Sequence, residues 1–306
     1  MDLWQLHIYC KVIELKSFSK AGEAVHLSQP TVSSHIKDLE GHFGCRLVDR
    51  LAKAAVPTAA GRLLYQYAVR LLSLKDETES AMADFQGRVK GTLRIGGSTI
   101  PGIHILPQIV GKFNRQHPDV MISLTIKSTE KIIQEVADGS LELGLVGAMT
   151  AQRHIRQDWV LADQLRLVVP PSHRWSRRKR VLLRELPQEP FILRESGSGT
   201  LQSLEENLNA EGLQITSFKV VAKMGSTQAV CQAIKHGIGV SIVSKLAVSD
   251  ELRTGTLKAL KIDGLNLERH FYLTRHKHRT LSPLGRAFKD FLIRELGKAA
   301  QSPAPA

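Results

Sequence analysis

Phe18-Ser19-Lys20-Ala21-Gly22-Glu23-Ala24-Val25-His26-Leu27-Ser28-Gln29-Pro30-Thr31-Val32-Ser33-Ser34-His35-Ile36-Lys37-Asp38-Leu39-Glu40 is the stretch that decides the fold. It reads as two short helices around a tight break. Ser17 precedes the first, and Ala21 and Ala24 let a neighbouring helix approach closely. The break falls at His26-Leu27-Ser28. Ser28 stands where an N-cap belongs, and Pro30 is tolerated only within a first helical turn. Val32, Ile36 and Leu39 recur at helical spacing and predict a buried face, which leaves Gln29, Thr31, Ser33, Ser34, His35 and Lys37 facing outward. The outward face is rich in short polar donors and acceptors and nearly free of acid on its N-terminal half. Such a face suits a helix whose first residues reach base edges and phosphates in the major groove of DNA. The alternative is an ordinary solvated helix, which more often carries Glu and Lys than a Thr-Ser-Ser cluster.

Outward from this stretch, Leu3, Leu6, Tyr9, Cys10 and Ile13 predict an amphipathic first helix. Residues 47–58 hold two short apolar runs around a small-residue turn, the pattern of a β-hairpin wing, and Arg50 and Lys53 there are placed to meet the phosphate backbone. From Thr58 the pattern is helical. Leu64, Tyr67, Leu71, Leu74, Thr78, Ala81 and Phe85 are spaced alternately three and four apart, a seam that suits pairing of two helices. The alternative is one helix packed on its own domain. The helix is expected to stop between Gly87 and Gly91, where a domain boundary falls.

The run Phe18 to Ala21, Leu27 to Ser33, then Ile36, Leu39-Glu40, Phe43-Gly44, Leu47, Arg50 and Pro57 to Gly61 resembles the LysR-type transcriptional regulators, and the resemblance extends over essentially the whole chain. Pro57 and Lys53 depart from it, since leucine and arginine are usual there. The resemblance implies an α + α/β chain. Residues 1–60 would form a winged helix-turn-helix, 61–90 a long linker helix that mediates dimers, and 91–300 a two-lobed effector domain of periplasmic-binding-protein type, with a disordered tail at 301–306. One lobe would take 91–162 plus 268–300 and the other 163–267. The DNA-binding set is then Ser28, Gln29, Pro30, Thr31, Ser33, Ser34, His35, Lys37, Arg50 and Lys53. Expected partners are double-stranded promoter DNA, a small effector, a homodimer or homotetramer, and RNA polymerase as a further candidate; no cofactor and no membrane are expected.

The C-terminal part alternates short apolar strands with helical segments. Strands are expected at 93–96, 120–126 and 143–146, with helices at 101–116 and 130–138. A second series places strands at 191–193, 218–222 and 240–243 and helices at 201–209 and 227–236; a strand at 270–273 and a helix at 283–296 return to the first lobe. This rhythm argues an α/β domain with parallel strands. Ligands in such sheets bind beyond the carboxyl ends of the strands. The residues there are Ser98, Thr99 and Ile100, Ser128 and Thr129, Gly147, Ser196, Ser198 and Thr200, and Ser226. Small hydroxyl segments leading into helices favour anions, because helix N-termini present free N–H groups. The expectation is a small anionic effector with Ser98, Thr99, Ser128, Thr129 and Thr200 as main donors. Simple helix capping would use the same residue types. Gly97 to Gly102 resembles the branch that includes sulfur-assimilation and selenium-associated regulators, which implies sulfur or selenium oxyanions, or a metabolite such as O-acetylserine, as candidate effectors.

The formal net charge is +13, which suits a polyanionic partner, yet residues 1–90 hold 12 Lys+Arg against 10 Asp+Glu and carry only +2 of it. Two basic runs lie further on, at 173–180 and 275–279. Cys10, Cys45 and Cys231 are far apart, with no metal-ligand or disulfide spacing. No stretch approaches a membrane span and the N-terminus has no signal-peptide pattern, so a cytoplasmic location is expected. An enzyme is disfavoured, because Ser196 to Thr200 lacks the lysine of a phosphate loop and no zinc-protease or Cys-x-x-Cys motif occurs. A metal sensor would rest on His270, His276 and His278, which no nearby cysteine or acid completes. A periplasmic solute-binding protein would not carry residues 1–60.

Overall fold

Polar caps set out the first three helices. Asp2 opens α1 (Leu3–Leu15) with a reciprocal pair of bonds to Gln5, at 2.7 and 3.1 Å. Ser17 caps α2 (Phe18–Val25), and Ser28 caps α3 (Gln29–Phe43) by accepting from the Thr31 N–H at 3.3 Å. His26 ends α2 in the left-handed region at φ 58°. A Cβ on Gly22 would meet the Leu27 carbonyl oxygen at 2.6 Å, so only glycine lets the turn pass this closely. The computed structural model describes residues 1–51, 54–85 and 91–301.

Val32, Ile36 and Leu39 are buried with Leu6, Ile8, Tyr9 and Val12 in one core. Strands β1 (Val48–Leu51) and β2 (Ala54–Pro57) pair antiparallel as the expected wing. Glu40, late in α3, accepts from the Leu47 and Val48 N–H groups at 2.8 and 3.3 Å and so ties that helix to the wing. Thr58 accepts from the Gly61 N–H at 3.0 Å and opens α4 (Ala59–Phe85). Ala68 and Val69 turn inward to the core, whereas Tyr67, Leu71 and Leu74 of the expected seam stand exposed. The side chains of Ala81 and Phe85 and all of residues 86–90 lie outside the described residues. Gly41 lies in the last turn of α3 with open space where a Cβ would go. Gly41→Ala is therefore expected to raise stability by about 0.5–1 kcal/mol, read from the urea midpoint.

The second unit is built separately. β3 (Gly91–Ser98) pairs in parallel with β4 (Val120–Lys127) and β5 (Leu143–Val146). Between them run α5 (Leu106–Gln116) and α6 (Thr129–Asp138). The expected single helix 101–116 instead opens with a π-helical turn, Pro101–Ile105, ahead of α5. Pro107 lacks the N–H that a regular turn requires there, and the Leu106 N–H reaches back five residues to Pro101. β6 (Ile155–Val169), fifteen residues long, was not legible as a strand. It changes partners midway, so no single alternation of apolar residues runs through it. β7 (Arg180–Leu182), β8 (Phe191–Arg194), α7 (Gly199–Ala210), β9 (Val220–Met224), α8 (Thr227–Lys235), β10 (Ser241–Ser244), α9 (Ser249–Thr254) and β11 (Lys258–Asp263) form the second lobe. β12 (Glu268–His276) and α10 (Pro283–Gln301) return to the first. Residues 302–306, within the expected tail, lie outside the described residues.

The expected parallel strands are joined by antiparallel ones that cross between lobes. β12 pairs antiparallel with both β5 and β6, and the far end of β6 pairs antiparallel with β10 and β11. One mixed sheet, ordered β4-β3-β5-β12-β6-β11-β7, therefore joins the two lobes. Each lobe is covered on both faces. In the first, Phe113 of α5 and Phe288 and Phe291 of α10 pack on one side and Ile132, Ile133 and Val136 of α6 on the other. In the second, α7 and the fully buried Trp175 cover one face and α8 the other.

Candidate functional site

The first unit presents α3 as its polar surface. Gln29, Pro30, Thr31, Ser34 and Lys37 are exposed, as is the capping Ser28, whose hydroxyl lies 2.8 Å from that of Thr31. Ser33 and His35 depart from expectation, since both are half-buried at the flanks of the apolar face. The side chain of Arg50 and the whole of Lys53 lie outside the described residues. The exposed set carries no carboxylate over the first two turns, so amide, hydroxyl and ammonium groups are what a duplex would meet there.

The second unit holds a small cleft between its lobes. Eight residues expected from the sequence line it: Ser98, Thr99, Ile100, Ser128, Thr129, Gly147, Ser198 and Thr200. Two do not. Ser196 is exposed and absent from the lining, and Ser226 is taken up as the cap of α8, accepting from the Ala229 N–H at 3.2 Å. The N-termini of α6 and α7 meet in this cleft so closely that a Cβ on Gly199 would lie 2.8 Å from the Thr129 hydroxyl. The Glu130 N–H donates to the Gly197 carbonyl at 3.3 Å and joins one lobe to the other.

Sequence reasoning missed the two strongest donors, Arg194 and Arg269. Both line the cleft, and they are only 4% and 6% exposed. Arg194 ends β8 and donates to the Thr227 hydroxyl at 2.7 Å and, across the lobes, to the Thr99 hydroxyl at 3.4 Å. Its carboxylate partner, Glu195, is 3.3 Å away and half-exposed. Burial, with the nearby Arg269 charge adding to it, holds the Arg194 guanidinium below its ordinary pKa. Arg269 lies on β12 directly opposite Asp163 of β6, and its Nε donates to that carboxylate at 2.8 Å. Asp163 also accepts from the Ser244 hydroxyl at 2.7 Å, while Arg269 donates to the Thr200 hydroxyl at 3.0 Å. Arg194 Nε, Arg269 Nη2 and Thr129 Oγ1 are buried with no hydrogen-bond partner among the described residues. A charged residue closing the apolar run Phe191-Ile192-Leu193 was the signal available for Arg194.

His276 and His278 have ring centres 6.1 Å apart, and among the described residues no three metal-ligating side chains converge. Cys10 and Cys231 are buried, and burial pushes the Cys231 thiol up to about 11, so it stays protonated near neutral pH. No helix among the described residues is long and apolar enough to cross a membrane.

Comparison with known proteins matches both units. The bacterial regulatory helix-turn-helix protein, lysR family, matches residues 3–62, and the LysR substrate binding domain matches residues 86–297. The RuBisCO operon transcriptional regulator of Allochromatium vinosum is 30% identical over 299 residues, 97% of this chain and 97% of that one. The HTH-type transcriptional activator CmpR of Synechocystis sp. is 31% identical over 291 residues, 95% of this chain and 94% of CmpR. Full-length CbnR, crystallised in complex with its target DNA, shares the fold with a TM-score of 0.70 at 20% identity, over 96% of this chain and 99% of CbnR. The chain thus belongs to the LysR family of DNA-binding transcriptional regulators, with an N-terminal helix-turn-helix domain and a C-terminal effector-binding domain.

Proposed function

We propose that this regulator reads promoter DNA with the exposed face of α3 and adjusts that binding in response to a small anionic effector held between the lobes. The observation that carries the DNA half is the division of α3 into a buried face of Val32, Ile36 and Leu39 and an exposed face of Gln29, Thr31, Ser34 and Lys37. Ser28, Pro30 and the half-buried Ser33 and His35 complete the contact set, with Arg50 and Lys53 of the wing on flanking phosphates. The exposed Tyr67, Leu71 and Leu74 of α4 support a dimer, or a tetramer of two such pairs, that would present two copies of α3 to half-sites about one helical turn apart or more. The anionic effector is supported by two buried guanidiniums beside two helix N-termini. Oxyanions of sulfur or selenium belong in the first panel of ligands, on the resemblance of Gly97 to Gly102. The setting is the cytoplasm, where promoter DNA is found.

Gel retardation of the gene's own promoter fragment tests the DNA half. Substituting both Thr31 and Ser34 with alanine is expected to weaken retardation by about tenfold or more, since each base contact contributes about 1–3 kcal/mol. Alanine is the better helix former, so the fold survives the change. Retardation unchanged in the double variant would overturn α3 as the reading helix.

A further inference from the structure

We infer that the effector is a compact oxyanion whose surface is nearly all oxygen, and not an aromatic or alkyl acid; this rests on the cleft being the effector site. The composition of the wall carries the inference. Of the eleven lining residues, six bear hydroxyls, two are arginines and two are glycines, and Ile100 supplies the one wholly apolar side chain. No carboxylate lines it. Sites for drug-sized organic ligands are predominantly apolar, with a few polar groups that fix orientation. This cleft inverts that balance. An aromatic ring or alkyl chain placed here would strip donors of water and return nothing.

The charge within the wall is uneven in a useful way. Arg269 is neutralised by Asp163 inside the protein, with both side chains at most 5% exposed. Among the described residues, the carboxylate paired with Arg194 is that of Glu195, which is 39% exposed and screened by solvent. An occupant must therefore supply negative charge chiefly to Arg194, and acceptor oxygens to everything else. Three polar atoms of lining residues are buried with no hydrogen-bond partner among the described residues, Arg194 Nε of the second lobe, Arg269 Nη2 of a crossing strand and Thr129 Oγ1 of the first lobe. A body with oxygens on all sides, such as a tetrahedral oxyanion, suits donors drawn from both lobes. A flat monocarboxylate presents oxygens on one side only.

Isothermal titration of the full-length protein at constant ionic strength tests this. The probes are sulfate, inorganic phosphate and methyl phosphate, against acetate and benzoate. At least one of the first three is expected to bind tenfold or more tightly than acetate and benzoate. Methyl phosphate binding as well as phosphate would identify an ester of the oxyanion, and weaker binding the free ion; either result supports the class. Thr129→Val keeps the shape and removes a hydroxyl with no partner among the described residues. It is expected to leave the unliganded melting temperature unchanged or higher while weakening oxyanion binding about tenfold, a charge-assisted bond being among the stronger ones. Arg194→Gln is expected to weaken it further. Benzoate binding as tightly as sulfate or phosphate, with dependence on Arg194, would overturn the ligand class yet keep the cleft as the effector site. Oxyanion binding indifferent to Thr129→Val and Arg194→Gln would place the anion elsewhere on this basic protein and overturn the inference. No heat with any probe, alongside normal promoter retardation, would remove the anionic effector and leave the DNA-reading function standing.

Discussion

Replacing Asp163 with alanine is expected to destabilise the effector domain by about 3–5 kcal/mol, because it strands a buried guanidinium without its counter-charge. Asp163 and Arg269 face each other across β6 and β12, where these strands cross between lobes, and their side chains are 1% and 5% exposed. The loss is larger than for any surface pair in the chain, where water answers the remaining charge. The Ser244 hydroxyl would lose its acceptor as well. Urea unfolding of the full-length protein measures the effect, and a second variant fixes its cause. Asp163→Leu combined with Arg269→Met removes both charges and is expected to regain most of the stability, while oxyanion binding, deprived of Arg269, is weakened. If Asp163→Ala unfolded at the wild-type midpoint, water would have to reach the pair, and the crossing strands would not be sealed as described.

The second large effect is expected at Gly61. A Cβ there would sit 2.0 Å from the Leu47 carbonyl oxygen and 2.8 Å from the Tyr9 hydroxyl, which already donates to the Gly61 carbonyl at 2.8 Å. Leu47 begins the wing and Tyr9 belongs to the core of α1, so neither can retreat alone. Gly61→Ala is expected to cost about 3 kcal/mol, at the top of the range for overpacking. It should also weaken promoter binding, because Leu47 is bonded to Glu40 of α3 and the strain passes directly to the reading helix. Thermal melting and gel retardation together check this. Full promoter affinity in the variant would show that the wing can shift without moving α3.

The helix-turn-helix was legible because its signals are local. Ser17 and Ser28 announce helix starts, Pro30 fits only an opening turn, and Val32, Ile36 and Leu39 repeat with the helical period. The parallel strands of the effector domain were legible for the same reason, as short apolar runs bounded by turn residues. β6 was not. Its first ten residues face partners in one lobe and its last five face partners in the other, so the pattern changes within one strand. The hydroxyl residues of the cleft were legible because they sit just past the carboxyl ends of strands, where ligands of parallel sheets gather. Arg194 and Arg269 were not: Arg194 is the last residue of β8 and reads as part of that strand, and Arg269 lies inside β12, away from any loop. Ser196 and Ser226 were misleading for the converse reason: they occupy the right loops but turn to solvent or to a cap.

The position of β12 has a consequence for how the protein is made. It lies between β5 and β6 in the finished sheet, yet it leaves the ribosome after every other strand of that sheet. By the time residue 267 has been synthesised, every residue of the DNA-reading core is available, since that core draws only on residues 6–72. The sheet of the first lobe, by contrast, still has a gap at its centre, and α10 is missing from one face. A premature stop after α4 and before β12 would therefore yield a complete DNA-reading core joined to a sensor that cannot close, a product fit to occupy DNA and deaf to its signal.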